Sequence, residues 1–362
     1  MPTLFEPVEF GSIRLTNRIV MAPLTRGRSD REAVPNALMA EHYAQRASAG
    51  LIISEATGIS RGGLGWPNAP GLWSEKQVEG WKLVTDAVHR ADGKIVAQLW
   101  HMGRLVHPDL GGGQPVSASA TTAPDYAHTY EGKKPYALAR TATRDDIKRI
   151  VGDYAAAARN AIAAGFDGVQ VHGANGYLVD QFLRDSSNYR TDEYGGSIEN
   201  RIRFAAEVLS AVGDTIGVER VGIRFSPNIY SQGVEDSDPI PLFAALAHRL
   251  EELKVPWIEL REAHKPTSAG SIPTEPVSPA MRPIYSGKIA LNSDYDGTSA
   301  RARMAEGIAD AISFGRPFIS NPDLVERIRS GAALAKGDEG TFYSGGARGY
   351  VDYPRLEEAE AA

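Results

Sequence analysis

Polar side chains stand at the ends of several short apolar runs, which is where a parallel barrel places its chemistry. The set joins neutral hydrogen-bonding groups to one cation: Thr25, Gln98, His172, Asn175, Tyr177 and Arg224. Hydroxyl, amide and imidazole groups suit a polar heterocycle and a carbonyl oxygen. A tyrosine phenol, with an ordinary pKa of about 10, stays protonated at neutral pH and can supply a proton. These residues therefore predict a site that holds a polar heterocycle and a carbonyl compound.

Gly315 and Arg316, which follow another apolar run, suit a phosphate group. A glycine permits close approach of the backbone, and an arginine guanidinium offers a fixed fork of donors to phosphate oxygens. In barrels, a phosphate site commonly forms from the loops after the seventh and eighth strands. The alternative for Gly315–Pro317 is an ordinary turn with a surface arginine, and these three residues alone leave both open.

Several other chemistries are excluded by what the sequence lacks. The chain has no cysteine, which excludes disulfides, thiolate zinc sites, iron–sulfur clusters and cysteine nucleophiles. The strand ends carry neither a His-x-His pair nor a cluster of carboxylates, so a metal-assisted hydrolase is disfavoured and we predict no metal site. Glu55 stands alone, so the paired carboxylates of a glycosidase are also missing.

The segments that carry these residues alternate between strand-like and helix-like patterns. Eight near-continuous apolar runs predict strands buried on both faces: Arg18–Ala22, Leu51–Ala56, Lys94–Trp100, Gly168–His172, Arg220–Phe225, Trp257–Arg261, Lys288–Asn292 and Ala311–Phe314. Amphipathic segments between them predict helices: Pro35–Ala49, Ser74–Ala91, Thr143–Ala164, Ser197–Val212, Pro239–Leu253 and Ser299–Glu306. The count and spacing favour an α/β fold of the (β/α)₈ TIM-barrel type over an open doubly wound sheet.

Three segments stand outside this alternation. Residues 103–142 form a long insertion after the third strand, and residues 263–287, with five prolines, make a poor sixth helix. Both follow the carboxyl end of a strand, the face of a barrel where active sites lie, so we expect functional loops there. Residues Thr3–Leu15 predict a small hairpin lid that closes the bottom of the barrel.

Composition and charge set limits on location and partners. The 362 residues include 39 lysines and arginines against 45 aspartates and glutamates, and the net charge of −6 offers no broad basic surface for nucleic acid. The longest apolar stretches fall well short of the roughly 20 residues that a membrane span requires. Residues Met1–Pro7 lack the basic start and apolar run of a signal peptide. We therefore expect a cytoplasmic protein with neither a nucleic-acid nor a membrane partner.

Five motifs, in order and on the expected strands, give a specific resemblance. They are Asn17–Arg26 (NRIVMAPLTR), Gln98–Arg104 (QLWHMGR), His172–Leu178 (HGANGYL), Arg190–Arg201 (RTDEYGGSIENR) and Gly315–Leu324 (GRPFISNPDL). Over about Leu4–Pro354 the chain resembles the Old Yellow Enzyme family of FMN-dependent NADPH dehydrogenases and ene-reductases. It is similar to the bacterial branch that includes N-ethylmaleimide and nitrate-ester reductases.

The resemblance implies an FMN cofactor at the top of the barrel and NADPH or NADH as the reductant. Thr25 would hydrogen-bond the C4 carbonyl of the flavin, Gln98 would hold its pyrimidine edge, and Arg224 would lie near N1 and C2. The residues that would line the ring are Ala22, Pro23, Leu24 and Ala56. Those that would hold the phosphate are Ser293, Asp294, Gly315 and Arg316. Because Asp294 is acidic, only its backbone N–H suits an anion.

The resemblance also implies the catalytic residues. His172 and Asn175 would bind the carbonyl oxygen of the substrate, and Tyr177 would protonate its α-carbon. In the implied ping-pong cycle, NAD(P)H reduces FMN and leaves. A hydride then passes from N5 to the β-carbon of an α,β-unsaturated carbonyl compound, with nitro compounds and nitrate esters as a further substrate class. The residues that would wall the substrate pocket are Trp66, Trp100, His172, Asn175 and Tyr343.

On this resemblance we expect residues 1–356 to form a single FMN-binding barrel domain and residues 357–362 to form a flexible tail. Two alternatives stay open. Another FMN barrel oxidase, such as a hydroxy-acid oxidase, would need a histidine base beside an arginine that grips a carboxylate, and the sequence shows no evident pair. A non-catalytic barrel that binds flavin or another small ligand would have no need of Tyr177. The sequence leaves a monomer and a dimer equally open.

Overall fold

Eight parallel strands pair in chain order and close into a barrel in the computed structural model, which describes residues 3–263, 270 and 274–356. The strands are Ile19–Met21, Leu51–Ile53, Ile95–Trp100, Gly168–His172, Val221–Phe225, Trp257–Arg261, Lys288–Asn292 and Ala311–Phe314. The first strand pairs with the eighth, with Ile19 opposite Ile312, and the third pairs with both the second and the fourth. The two residues Thr57–Gly58 add a short pairing to the end of the third strand. The predicted (β/α)₈ barrel is confirmed.

Helices follow the strands along the chain. The six longest are Ala37–Ala44, Glu75–Arg90, Arg144–Ala163, Ile198–Ile216, Pro239–Glu252 and Gly297–Ala305. Ser74, Thr143 and Ser197, which the amphipathic patterns include as first helical residues, are instead N-caps whose side chains accept from a backbone N–H three residues on. A cap residue lies outside the helix, which explains these one-residue differences. Among the helices of the described residues, none combines the length and the apolar character of a membrane span.

The segment after the sixth strand forms only a short helix in its described part, as its prolines predict. Within the described part of residues 263–287, the only helix is Ser278–Met281; residues 264–269 and 271–273 lie outside the described residues. Short helices that the sequence pattern misses are Leu178–Leu183, Arg316–Ser320 and Leu324–Ser330. Single 3₁₀ turns lie at Arg61–Gly63, Gly103–Leu105, Pro108–Leu110, Val218–Arg220 and Glu339–Thr341. The predicted tail at 357–362 also falls outside the described residues.

The amino-terminal hairpin lies at the bottom of the barrel, where the sequence predicts it. Strands Val8–Phe10 and Ile13–Leu15 pair antiparallel. The Ser12 backbone N–H donates to the Glu219 carbonyl at 2.9 Å, which ties the hairpin to the turn before the fifth strand. One buried cluster joins the hairpin to the barrel interior: Val8, Phe10, Ile13, Leu15, Val20, Leu51, Ile53, Val96, Trp257, Ala290 and Ala311. The hairpin therefore seals the end of the barrel opposite the strand carboxyl ends.

Phe10 is the side chain of this hairpin whose loss should cost most. It is fully buried, and its ring stacks on Trp257 with centroids 5.4 Å apart. We expect Phe10→Ala to lower the free energy of unfolding by about 3–5 kcal/mol. The loss has two parts, the transfer free energy of the removed ring and the cost of the cavity that it leaves. Urea unfolding of Phe10→Ala beside the exposed control Leu83→Ala measures this. A loss below about 1 kcal/mol, typical of a surface change, would contradict the sealing role.

The insertion after the third strand is a folded loop. Strands Tyr126–Thr129 and Gly132–Pro135 pair as an antiparallel hairpin, and Val116–Ser117 pairs in parallel with Arg140–Thr141. The insertion begins where the third strand ends, at its carboxyl end. From the hairpin, His128 packs on Trp66 with ring centroids 4.5 Å apart. The insertion thus places His128 against Trp66, which the sequence analysis predicts as a wall of the substrate pocket.

Candidate active site

A cavity of about 510 Å³ lies at the carboxyl ends of the barrel strands. Cofactor and ligand sites usually span about 300–1,000 Å³, so this one has room for a nucleotide-sized ligand. Residues predicted from the sequence that line it are Ala22, Pro23, Leu24, Asn175, Arg224, Ser293, Asp294, Gly315, Arg316 and Tyr343. The wall is completed by Arg261, Asn292, Tyr295, Ser313, Phe314 and Pro317, for which the sequence analysis predicts no role.

The other predicted site residues are not part of this wall. They are Thr25, Ala56, Trp66, Gln98, Trp100, His172 and Tyr177. Ala56 and Trp100 are buried in one apolar cluster, against which Trp66 and Tyr177 pack. Gln98 is buried on the third strand, and Thr25 is partly exposed in the loop after the first strand. The structure thus divides the predicted residues between a polar cavity and a neighbouring aromatic group.

His172, Tyr177 and Trp100 form that aromatic group. The rings of His172 and Tyr177 meet edge to face with centroids 4.8 Å apart, and Trp100 meets Tyr177 in the same way at 5.0 Å. His172 ends the fourth strand and Tyr177 precedes the helix Leu178–Leu183, so one short loop carries both. Asn175 lies in that loop and lines the cavity, which connects the aromatic group to it.

The position of the proton on His172 follows from one backbone contact. The Ala174 N–H donates to Nδ1 of His172 at 3.3 Å, so Nδ1 is an acceptor and the neutral ring carries its proton on Nε2. Burial, assisted by the charges of Arg224 and Arg261, holds the pKa of His172 well below its ordinary value. At neutral pH the imidazole is therefore uncharged and offers one N–H, from Nε2.

The phenol of Tyr177 is held in its protonated form. Burial raises its pKa above the ordinary value, and the nearby phenols of Tyr136 and Tyr343 raise it further, against smaller opposing effects of Arg261 and Arg224. The group therefore keeps its proton through the neutral and mildly alkaline range. An enclosed phenol in this state is available as a general acid.

Asn175 is fixed in both backbone and side chain. Its φ of +60° is one that few non-glycine residues adopt. Its N–H donates to Ser226 Oγ at 2.7 Å, and the Ser231 hydroxyl donates to its carbonyl at 3.2 Å. Arg261 Nη1 donates to Asn175 Oδ1 at 2.7 Å. Because a guanidinium can only donate, Oδ1 must face Arg261, and the amide nitrogen is presented away from it as a donor.

The expectation of a single cation among the strand ends, Arg224, is wrong. Arg261 ends the sixth strand and lines the same cavity. Burial lowers its pKa to about 10, which leaves it charged at neutral pH. With Arg316, predicted for a phosphate, the described residues of the wall include three arginines against one acid, Asp294. An excess of positive charge in a concave site suits an anionic ligand such as a phosphate ester. Arg261 could have been identified from the sequence, because it is the last residue of the predicted strand Trp257–Arg261.

Arg224 is held from two sides, and one of its three nitrogens has no partner among the described residues. Its Nη1 donates to Glu259 Oε1 at 2.6 Å and its Nη2 donates to Asn292 Oδ1 at 2.9 Å. Asn292 is in turn anchored through its Nδ2 to the Ser313 carbonyl at 2.8 Å. The Nε of Arg224 is buried with no partner among the described residues. A buried donor left unpaired costs roughly 1–3 kcal/mol, and Arg224 lines the cavity in which the sequence predicts a ring with carbonyl acceptors. This donor set fits the predicted FMN.

The loop after the seventh strand has an uncommon backbone. Ser293 and Asp294 both have positive φ, +148° and +47°, although neither is glycine. Such conformations cost of order 1–3 kcal/mol each and concentrate at ligand sites. Both residues line the cavity beside Gly315 and Arg316, where the sequence predicts a phosphate.

The predicted substrate-wall aromatics fall in two places. Trp66 and Tyr343 meet with ring centroids 5.4 Å apart, and Tyr343 is more than half exposed while it lines the cavity. Trp100 is instead buried beneath Tyr177. Tyr343 therefore forms part of the cavity wall with Trp66 packed against it, whereas Trp100 packs against Tyr177 in the neighbouring aromatic group.

A closed parallel barrel with an arginine-rich cavity at the carboxyl ends of its strands has the architecture in which barrel enzymes place their active sites. The sequence model of the NADH:flavin oxidoreductase / NADH oxidase family matches residues 3–335. The solved structure of an old yellow enzyme homologue from Zymomonas mobilis is 53% identical with a TM-score of 0.96, and the match covers 98% of this chain and 100% of that one. Morphinone reductase in complex with tetrahydroNAD is 43% identical with a TM-score of 0.93, covering 99% of each chain. A probable flavin mononucleotide-dependent alkene reductase of Leishmania infantum is 43% identical over 358 residues, 97% of each chain.

The chain belongs to the NADH:flavin oxidoreductase / NADH oxidase family and, within it, to the Old Yellow Enzymes. The resemblance predicted from the five motifs is confirmed. The protein is an FMN-dependent oxidoreductase with a nicotinamide reductant, as the sequence predicts. This assignment removes the alternative of a non-catalytic barrel.

Proposed function

We propose that the protein reduces the carbon–carbon double bond of α,β-unsaturated carbonyl compounds. The observation that carries the proposal is one loop that joins two neutral donors, His172 Nε2–H and the Asn175 amide, to the protonated phenol of Tyr177. Donors of this kind polarise a carbonyl, and a phenol beside them can protonate the neighbouring carbon. Nitro compounds and nitrate esters present an acceptor oxygen of similar chemistry and are a second substrate class for the same site.

His172 and Asn175 bind the carbonyl oxygen of the substrate. Two donors on this oxygen withdraw electron density from the alkene, so the β-carbon accepts a hydride more readily and the developing enolate is stabilised. His172 donates as a neutral group, and no proton has to leave it. Asn175 donates through Nδ2 because Arg261 holds Oδ1. The positive charge of Arg261 behind the amide also strengthens it as a donor.

Tyr177 supplies the proton that completes the reaction. After hydride transfer the α-carbon of the enolate is a strong base, and the phenol gives its proton to that carbon. A raised pKa keeps the phenol from losing this proton to water beforehand. Its contacts with His172 and Trp100 hold the ring beside the two oxygen-binding donors.

FMN, when bound, would supply the hydride, with NADPH or NADH as its source. Thr25, Gln98 and Arg224 would hold its ring edge. The residues that would hold its ring face and phosphate are Ala22, Pro23, Leu24, Ala56, Ser293, Asp294, Gly315 and Arg316, of which all but Ala56 line the cavity. The substrate pocket is walled by Trp66 and Tyr343 together with His172 and Asn175, and the buried Trp100 supports Tyr177. All of these residues lie within a single domain of residues 1–356.

An anaerobic colour experiment tests the proposed function. The purified protein should be yellow, and NADPH added without oxygen should bleach it. Addition of 2-cyclohexenone should then restore the yellow colour, because the alkene takes up the hydride. Recovery of the colour with a 2-keto acid and not with 2-cyclohexenone would contradict an alkene reductase.

The response to a 2-keto acid tests the alternative that the protein is a hydroxy-acid oxidase. The sequence shows no histidine–arginine pair, yet the structure brings the charges of Arg224 and Arg261 near His172. An oxidase needs this histidine to accept a proton. In this structure Nδ1 of His172 already accepts from Ala174, and Nε2 carries the proton. Both nitrogens are therefore unsuited to act as a base, which favours alkene reduction.

The pH dependence of alkene reduction follows from the same two groups. His172 becomes charged only below its lowered pKa, and Tyr177 loses its proton only above its raised pKa. Neither titrates between their ordinary values of 6.5 and 10.0. We expect the rate at which 2-cyclohexenone reoxidises the reduced enzyme, measured by stopped flow, to be constant over this interval. A fall with a midpoint inside the interval would show that one of the two groups titrates normally.

A further inference from the structure

Glu259 is a buried carboxylate that neither the predicted site nor the proposed function uses. It is the central residue of the sixth strand and has no exposed surface. Its Oε1 accepts from Arg224 Nη1 and from the Ser313 hydroxyl, both at 2.6 Å, and its Oε2 accepts from Gln170 Nε2 at 2.9 Å. A charge at this depth is costly unless it is paired and hydrogen-bonded, and Arg224 provides the pairing.

Glu259 fixes the direction of two amides in series. An ionised carboxylate can only accept, so Gln170 must turn Nε2 toward it and Oε1 away. Gln98 Nε2 then donates to Gln170 Oε1 at 2.8 Å. This contact engages Nε2 of Gln98, and among the described residues no hydrogen bond to its Oε1 is present. The carboxylate therefore determines, through Gln170, that Gln98 presents an acceptor.

We propose that Glu259 is a positioning residue for the flavin: it sets Gln98 to accept, and Arg224 to donate, at the pyrimidine edge of the ring. This inference rests on the roles proposed above for Gln98 and Arg224. The pyrimidine edge of an isoalloxazine ring presents two carbonyl oxygens on either side of one N–H. Such an edge needs one acceptor between donors. A reversed Gln98 amide would place an NH₂ group against the ring N–H.

Glu259 also offsets the charge of Arg224. Two-electron-reduced flavin carries a negative charge at this edge, and a cation beside it favours the reduced form. The carboxylate 2.6 Å from the guanidinium weakens that effect. Without the carboxylate, Asn292 still holds Nη2 of Arg224. Loss of the Glu259 charge should therefore leave a more effective cation in place and shift the FMN midpoint potential upward.

The test compares two buried glutamates on one segment. Glu259→Gln should raise the midpoint potential of the holoenzyme and weaken FMN binding about tenfold, the effect of one net hydrogen bond. Glu262→Gln is the matched control, since Glu262 is similarly buried but its carboxylate accepts only from Val277 and Ser278 among the described residues. It should leave both quantities at wild-type values. Spectroelectrochemical titration gives the potential, and fluorescence of FMN released on dilution gives the affinity.

An unchanged potential and affinity in Glu259→Gln would overturn the inference, and so would equal shifts in Glu262→Gln. Gln170→Met serves if Glu259→Gln does not fold, because it breaks the relay without a change of charge. It should weaken FMN binding about tenfold and leave the potential unmoved. Gln98→Met distinguishes a failure of the role proposed for Gln98 from a failure of the role proposed for Glu259. Wild-type FMN affinity in Gln98→Met would contradict the proposed role of Gln98, whereas a loss there with none in Gln170→Met would overturn only the role of Glu259.

Discussion

Replacement of Tyr177 by phenylalanine is expected to slow alkene reduction by about 10²- to 10⁴-fold, the usual contribution of a positioned general acid. The change removes only the phenolic oxygen, so the ring keeps its edge-to-face contacts with His172 and Trp100. The two donors for the carbonyl oxygen keep their positions as well. Reduction of FMN by NADPH requires no proton from Tyr177 and should stay near the wild-type rate. Stopped-flow measurement of the two half-reactions separates these effects.

Tyr126→Phe is the control for this variant. Tyr126 lies in the hairpin of the insertion with more than half of its surface exposed, and loss of its hydroxyl should leave both half-reactions unchanged. An equal loss in both half-reactions of Tyr177→Phe would point to a packing role. An unchanged rate of alkene reduction would contradict the proton-donor role outright.

Replacement of His172 by alanine is expected to slow alkene reduction by about 10²- to 10³-fold, as for the loss of one oxyanion donor. The same variant should bind phenols more weakly, because a phenolate oxygen resembles the enolate oxygen and uses the same two donors. Titration of the oxidised holoenzyme with a phenol, followed through the flavin spectrum, measures the second effect. Unchanged phenol affinity would contradict the role of the Nε2–H.

Two further variants separate donation from packing. His172→Gln restores a neutral N–H donor in place of the imidazole and should recover part of the phenol affinity. His248→Ala removes an exposed histidine on the helix Pro239–Glu252 and should have no effect. If His172→Gln were as weak as His172→Ala, the contribution of His172 would lie in its contact with Tyr177.

The barrel could be predicted from the sequence because its strands are buried on both faces. Such strands are continuous apolar runs, and Gly168–His172, Trp257–Arg261 and Lys288–Asn292 have the predicted bounds. The first strand is shorter than predicted, Ile19–Met21, and the chain leaves it at Ala22 before Pro23, which has no N–H for a ladder. Apolar character alone does not separate strand residues from buried loop residues beside them.

The pairings inside the site could not be predicted in the same way. Glu259 and Arg224 are 35 residues apart and meet because the fifth and sixth strands pair in parallel, with these two residues opposite each other. A register of this kind is a property of the closed barrel, and no local pattern encodes it. The contact of Arg261 with Asn175, 86 residues apart, joins the end of the sixth strand to the loop after the fourth, two strands that do not pair with each other. The motif His172–Leu178 identified the chemistry, but the guanidinium that orients the Asn175 amide comes from the sixth strand.

The most direct test of the proposed reaction site is a crystal structure of the FMN-bound protein with a phenol such as p-hydroxybenzaldehyde. We expect the phenolic oxygen within hydrogen-bonding distance of both His172 Nε2 and Asn175 Nδ2, above the flavin ring and beside Tyr177. A phenol whose oxygen contacts neither group, for example one held by Arg261 alone, would contradict the central claim that these donors bind the substrate oxygen.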